Sequence, residues 1–145
     1  MEKVRLGIIG IGNMGTNHLK SIQEGKVPEI EVTAVADRED GRIAWAKEYM
    51  PAETLFFKEG SDLIDAGVCD AVLIAVPHYQ HPELTIYAME HGHHVLCEKP
   101  AGVYTAQVRE MNEAAQKSDR VFAMMFNQRT NCIYRKLHEL VTGGE

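Results

Sequence analysis

The sequence has little from which to build a crosslink or a zinc site. Its three cysteines, Cys69, Cys97 and Cys132, are odd in number and widely spaced, with no CxxC pair. That spacing excludes a disulfide framework and a zinc ribbon and suits reduced, packed thiols, to which no chemistry is assigned. A basic cluster is also missing. Lys and Arg number 15 against 21 Asp and Glu, for a net charge of -6, which argues against a nucleic-acid partner. No apolar run approaches the ~18 residues of a membrane span, and MEKVRLGIIG at the N-terminus reads as a strand without a cleavage-type tail, so a cytoplasmic location is expected. Repeats and low-complexity linkers are absent. What is present, 145 residues of which 45% are hydrophobic and 25% charged, is the composition of one soluble folded unit.

Apolar runs of strand length alternate with helical patterns along the whole chain. Strands are expected at 4–9, 30–36, 54–57, 71–76, 95–97 and 121–126. Between them come helices from Met14 to about Glu24, Gly41 to Glu48, Ser61 to Asp65 with Ser61 as N-cap, His81 to Glu90 capped by Gly92, and Thr105 to Lys117. Residues 131–142 read as a last helix ending at Gly143 and Gly144. Near-continuously apolar strands joined by helices define an α/β fold, a doubly wound, Rossmann-type parallel sheet of about six strands. Ligands bind such sheets at the carboxyl ends of the strands, which directs attention to positions 10–15, 37–38, 77–81, 98–100 and 127–129.

The first of these positions is a glycine turn. In GIGNMG, residues Gly10 to Gly15 with Ile11, Asn13 and Met14 between the glycines, Gly10 serves a tight turn, Gly12 a close approach of pyrophosphate, and Gly15 the packing of helix on sheet. Asp37 lies 22 residues beyond Gly15 at the end of the second strand, where a carboxylate accepts hydrogen bonds from the adenosine ribose. A strand before the turn, a helix after it and an acid at that distance together point to dinucleotide binding. Asp37 repels a ribose 2'-phosphate and so favours NAD, with NADP as the alternative that Arg38 keeps open. Arg38 has three readings: stacking on adenine, neutralising a 2'-phosphate, or a solvated first-turn residue.

Seven histidines invite a metal, but the topology opposes one. His78 and His81 follow a strand, whereas His93 and His94 precede the next, so roughly 15 Å separates the two groups. No metal site is expected, and His91, His93 and His94 read as loop residues. His78 and His81 are either cofactor-edge residues or ordinary helix-start residues.

In LCEKPAG, residues 96–102, Lys99 follows the fifth strand, on the nicotinamide half of the crevice. There an ammonium can hydrogen-bond the substrate hydroxyl undergoing oxidation and ease its developing alkoxide, with Pro100 restraining the backbone that presents it. Without further context, an exposed turn lysine would be the simpler reading.

The context comes from several stretches together: GIIGIGNMG, VAD at 35–37, AVPHYQHPE at 75–83, HVLCEKP at 94–100 and FNQR at 126–129. Over essentially the whole chain these resemble the amino-terminal domain of the glucose-fructose oxidoreductase, inositol dehydrogenase and rhizopine catabolism (Gfo/Idh/MocA) family. The resemblance implies that Gly10, Gly12 and Gly15 hold pyrophosphate, Asp37 holds the adenosine ribose, Lys99 contacts the reacting hydroxyl, and Glu98 helps to position the nicotinamide ribose. Ala75, Val76, Pro77, His78 and His81 match the segment after strand four, although Val76 and His78 depart from the family's threonine and asparagine. Asn127 matches the position that approaches the nicotinamide.

The same resemblance implies a second, sheet-rich substrate domain carrying a further Asp and His, which this sequence lacks. Residues 1–130 are then the dinucleotide-binding domain and 131–145 a helix leading toward the missing part. An NAD(P)-dependent oxidoreductase of sugars, polyols or related hydroxyl substrates is expected, with little turnover by this chain alone and a tendency to self-associate through uncovered apolar surface. A standalone nucleotide sensor would use the glycine turn and Asp37 without Lys99. A methyltransferase would need neither Gly15 opening the helix nor EKP after strand five.

Overall fold

The computed structural model describes residues 2–144. Six strands, β1 (Val4–Ile9), β2 (Ile30–Ala36), β3 (Leu55–Phe57), β4 (Ala71–Ile74), β5 (His94–Glu98) and β6 (Phe122–Met125), form one sheet in the order β3-β2-β1-β4-β5-β6. Every neighbouring pair is parallel. The connecting helices are α1 (Asn13–Gln23), α2 (Asp40–Tyr49), α3 (Gly60–Asp65), α4 (His81–Glu90) and α5 (Thr105–Lys117), followed by α6 (Cys132–Gly143). This is the doubly wound Rossmann-type arrangement, with its reversal of strand order between β1 and β4.

Side chains alternate across a strand, and here both faces are covered, which is why the strands read as unbroken apolar runs. Leu6 and Ile8 of β1 face Leu19 of α1 and Ala46 of α2. Ile9 turns the other way, toward Leu63 and Ile64 of α3 and Ala88 and Met89 of α4. Ile8 and Leu19 are fully buried, and each contributes on the order of 2 kcal/mol of transfer free energy. Glycines with positive φ stand at the turn after β1 (Gly10) and after α4 (Gly92), the latter where a left-handed residue ends the helix as expected.

Some element boundaries differ from the expected ones for identifiable reasons. β4 stops at Ile74, and His78–Gln80 form a 3-10 turn leading straight into α4, because Pro77 has no N–H with which to continue a ladder. α3 begins at Gly60, so Ser61 is inside the helix and is not its cap. Glu59 occupies the cap position and makes no capping bond, its carboxylate being taken by Arg38 at 2.8 Å. The helix begins close against β1, where a side chain at Gly60 would meet Ile9 Cγ2 at 2.5 Å.

The cysteines divide. Cys69 and Cys97 are buried as expected, and burial pushes both thiols up to about 11. Cys132 is exposed at the start of α6 rather than packed. α6 itself leans mainly on the 3-10 turn before it, Asn127–Thr130, with Asn131 Oδ1 accepting from Ile133 N at 3.0 Å as its N-cap. Its apolar stripe is open, Ile133, Leu137 and Val141 being 73%, 53% and 67% exposed. Among the described residues no helix is long and apolar enough to cross a membrane.

Candidate cofactor site at the sheet edge

The glycine turn lies where β1 hands over to α1, and its three glycines have different causes. A Cβ on Gly15 would lie 1.9 Å from the Gly10 carbonyl oxygen, and one on Gly10, at φ +89°, would lie 2.7 Å from the Ala75 carbonyl oxygen. Those two glycines are demanded by the protein's own packing. Gly12 is not, because a Cβ there would meet nothing closer than Arg42 Nη1 at 3.8 Å. Its conformation is also open to other residues, at φ -68°. The space that Gly12 leaves is therefore available to a ligand against the backbone.

The adjoining helix end suits an anion. α1 carries no side-chain cap and no acidic residue in its first turn, so its leading N–H groups, with the positive end of the helix dipole, face the crevice. Ile11 N–H is the exception, since it donates to Asp37 Oδ2 at 2.8 Å. That bond joins the end of β2 to the glycine turn. Asp37 is buried, and its Oδ1 accepts from Glu39 N–H at 2.9 Å.

A cavity of about 930 Å³ opens here, lined by Gly10, Gly12, Asn13, Met14, Asp37, Arg38, Ala75, Val76 and Pro77 among others. Its size is that of a small-molecule or cofactor site. Asp37, Arg38, Glu39 and Glu59 stand together at its far end, on the β2 side of the turn. Arg38, at the cavity edge, pairs with Glu59, Nη2 to Oε2 at 2.7 Å. Removing Glu59 frees Arg38 for a 2'-phosphate. Glu59→Ala should therefore raise affinity for NADPH relative to NADH by about fivefold in side-by-side titrations, and an unchanged ratio would contradict this role.

Not every expected site residue faces the cavity. Ile11 and Gly15 are buried beneath the turn. His78 is exposed on the 3-10 turn, its ring edge-on to that of His81 at 5.7 Å. His81 is a correction: it is 1% exposed, with Nδ1 2.7 Å from the Pro100 carbonyl and Nε2 2.8 Å from that of Val76, which removes it from direct cofactor contact. Glu98 is likewise turned inward, 4% exposed, with Oε1 2.7 Å from His18 Nε2 and Oε2 accepting from Lys99 N–H at 3.2 Å. A ribose contact by Glu98 does not fit that burial.

Lys99 is exposed just past β5, and among the described residues its ammonium forms no ion pair. Asn127 is exposed at the same edge, after β6. At the opposite end of the sheet His94 opens β5 rather than standing in a loop, while His91 and His93 lie in the connection before it as expected, His93 buried with Nε2 3.0 Å from the Ile64 carbonyl.

Sequence reasoning missed His18 and Arg42. His18 sits three residues after Gly15 and one before Leu19, a polar residue beside the buried face of α1. Arg42 Nη1 lies 3.4 Å from Asp37 Oδ2 and Nη2 3.1 Å from Glu39 Oε1, over the glycine turn. Only its place in the first turn of α2, five residues after Asp37, hinted at this.

A parallel sheet in this order, a glycine turn with one glycine left free for a ligand, and an acid closing the turn define a dinucleotide-binding domain. Comparison with known proteins makes the class particular: the chain belongs to the Gfo/Idh/MocA oxidoreductase family, NAD-binding Rossmann fold, whose family model matches residues 4–126. It is 32% identical to myo-inositol 2-dehydrogenase of Thermotoga maritima over 97% of this chain and 41% of that protein. The rhizopine catabolism protein MocA of Rhizobium meliloti is also 32% identical, over 81% of this chain and 35% of that one. Among solved structures, myo-inositol 2-dehydrogenase from Lactobacillus plantarum superposes with a TM-score of 0.91 at 30% identity, covering 99% of this chain and 42% of that one. The scyllo-inositol dehydrogenase from Lactobacillus casei with bound NAD(H) and scyllo-inositol gives 0.89 at 26% identity, with the same coverage. The chain thus spans about two fifths of the length of these relatives and corresponds to their NAD-binding part.

Proposed function

We propose that this chain is the cofactor-holding portion of an oxidoreductase that moves hydride between NAD and a hydroxyl of a polyol or sugar, inositols being the relatives' substrates. The observation that carries the reading is Gly12, a glycine that nothing in the protein requires, at the uncapped start of α1. The leading N–H groups of α1 take the pyrophosphate, and Asp37 takes the adenosine ribose. Arg42 balances the carboxylate charge beside them. NAD, when bound, supplies the hydride acceptor. Lys99, with no ion-pair partner among the described residues, donates a hydrogen bond to the substrate oxygen and stabilises its developing alkoxide, while the hydroxyl proton passes to an acid–base residue of the second domain and the hydride to NAD. His78 and Asn127 border the nicotinamide side.

Residues 1–130 form this unit, and α6 leads toward a second domain that would cover its open stripe and complete the substrate pocket. Uncovered, the stripe favours self-association. Reduced cysteines suit a cytoplasmic location. The test is NAD+ reduction by the 145-residue chain alone with a panel of inositols and sugar alcohols. The expected result is no turnover above background, because Lys99 has no positioned substrate. Robust turnover would contradict the division of labour.

A further inference from the structure

β5 ends at Glu98, with Lys99 and Pro100 directly after it, and two imidazoles grip this segment from opposite faces of the sheet. From α1, His18 Nε2 reaches Glu98 Oε1 at 2.7 Å. Glu98 in turn holds the Lys99 backbone through Oε2, which accepts from Lys99 N–H at 3.2 Å. From the first turn of α4, on the other face, His81 spans the Pro100 carbonyl at 2.7 Å and the Val76 carbonyl at 2.8 Å. The next residue, Pro82, closes on the same segment. A Cβ at Gly102 would lie 2.8 Å from Pro82 Cγ, so the chain after Pro100 passes against α4 with no room for a side chain.

The groups gripped lie inside, Glu98 being 4% and His81 1% exposed, while the His18 side chain stays 22% accessible. A buried carboxylate or carbonyl that loses its partner carries the full cost of desolvation. A carbonyl oxygen only accepts, so His81 donates from the ring nitrogen that carries its proton, to Pro100 or to Val76, while the ring edge packs against the other carbonyl. Asparagine has its two N–H groups on one nitrogen and cannot span the same two acceptors. Within this frame the Lys99 side chain is exposed.

We propose that His18 and His81 are positioning residues for Lys99, a pair of imidazole clamps that fix the backbone on either side of it and thereby its direction. The proposal deepens the reading of Lys99 as the lysine that meets the substrate hydroxyl, and rests on it. Anchoring to the middle of α1 also links the lysine to the helix whose first turn faces the pyrophosphate, so lysine and cofactor are placed by one rigid element.

The test uses the unaltered 145-residue chain first. Long-range proton–nitrogen correlation spectra should show His81 fixed in a single tautomer, whereas a ring averaging between tautomers would overturn the grip. Amide hydrogen exchange of His18→Asn and His81→Asn then reads the consequence. Exchange at Lys99 should accelerate by about tenfold or more in each, with amides of β1 and β4 unchanged. Uniform acceleration across the sheet, which a merely structural role would give, overturns the proposal, as does an unaltered Lys99 amide. None of these readouts needs cofactor. Failure of NADH to bind the unaltered chain would be seen separately and would sink the cofactor reading instead.

Discussion

Replacing Gly15 with alanine should abolish cofactor binding and destabilise the fold. The new methyl would lie 1.9 Å from the Gly10 carbonyl oxygen, a backbone atom, and 3.5 Å from the Ala75 Cβ, so no rotamer change relieves it. α1 must move away from the turn by more than an ångström. That shift strains Ile11 N–H away from Asp37 Oδ2 and lifts Leu19 from its fully buried seat. Overpacking of this kind costs about 1–3 kcal/mol, and more where only backbone can yield. Denaturant titration should show a lowered midpoint at constant slope, and NADH titration should show no saturation. Gly12→Ala is the informative partner, since its Cβ meets only Arg42 at 3.8 Å. It should leave stability within about 1 kcal/mol while weakening NADH binding at least about tenfold. Equal loss of stability in both variants would mean that the turn is structural throughout.

Lys99→Ala has the second large effect, seen once a substrate domain is supplied. In a fusion of this chain to the remaining portion of the Thermotoga maritima myo-inositol 2-dehydrogenase, NAD+ reduction by myo-inositol should fall by about 10²–10⁴-fold in kcat. KM for NAD+ should change far less, because the phosphate and ribose contacts proposed for the cofactor lie at the glycine turn and Asp37, in the cavity lining that does not include Lys99. Unaltered turnover would show that the ammonium does not act on the hydroxyl, and would revive the reading of the chain as a nucleotide-binding module.

Which parts of this could be read from sequence follows from how far each feature depends on its neighbours in the chain. The alternation of strand and helix was legible because both faces of β1 beyond Arg5 and of β4 are buried, leaving Leu6–Ile9 and Ala71–Ile74 as unbroken apolar runs. The glycine turn was legible for the same local reason: Gly10, Gly12 and Gly15 lie within one strand-turn-helix unit. Asp37 was placed correctly because the end of β2 is in register with the end of β1, Ala36 opposite Ile9. Arg38, Ser61, His81 and Glu98 were not, because their fates are set by residues far along the chain. Arg38 is claimed by Glu59, which thereby becomes the uncapped start of α3 and leaves Ser61 inside. Glu98 and His81 are turned inward by His18 and by the Pro100 carbonyl, pairings across 80 and 19 residues. An amphipathic pattern such as that of α6 predicts a helix but is silent about what covers its apolar side.

The central claim, that the turn at Gly10–Gly15 and Asp37 hold NAD, is tested most directly by calorimetric titration of the 145-residue chain with NADH and with NADPH, repeated on Asp37→Ala. The account predicts saturable one-to-one binding that favours NADH, and a loss of about tenfold or more in the variant as the ribose acceptor and the Ile11 tether go together. Binding of neither nucleotide, or binding that Asp37→Ala leaves unchanged, would contradict it.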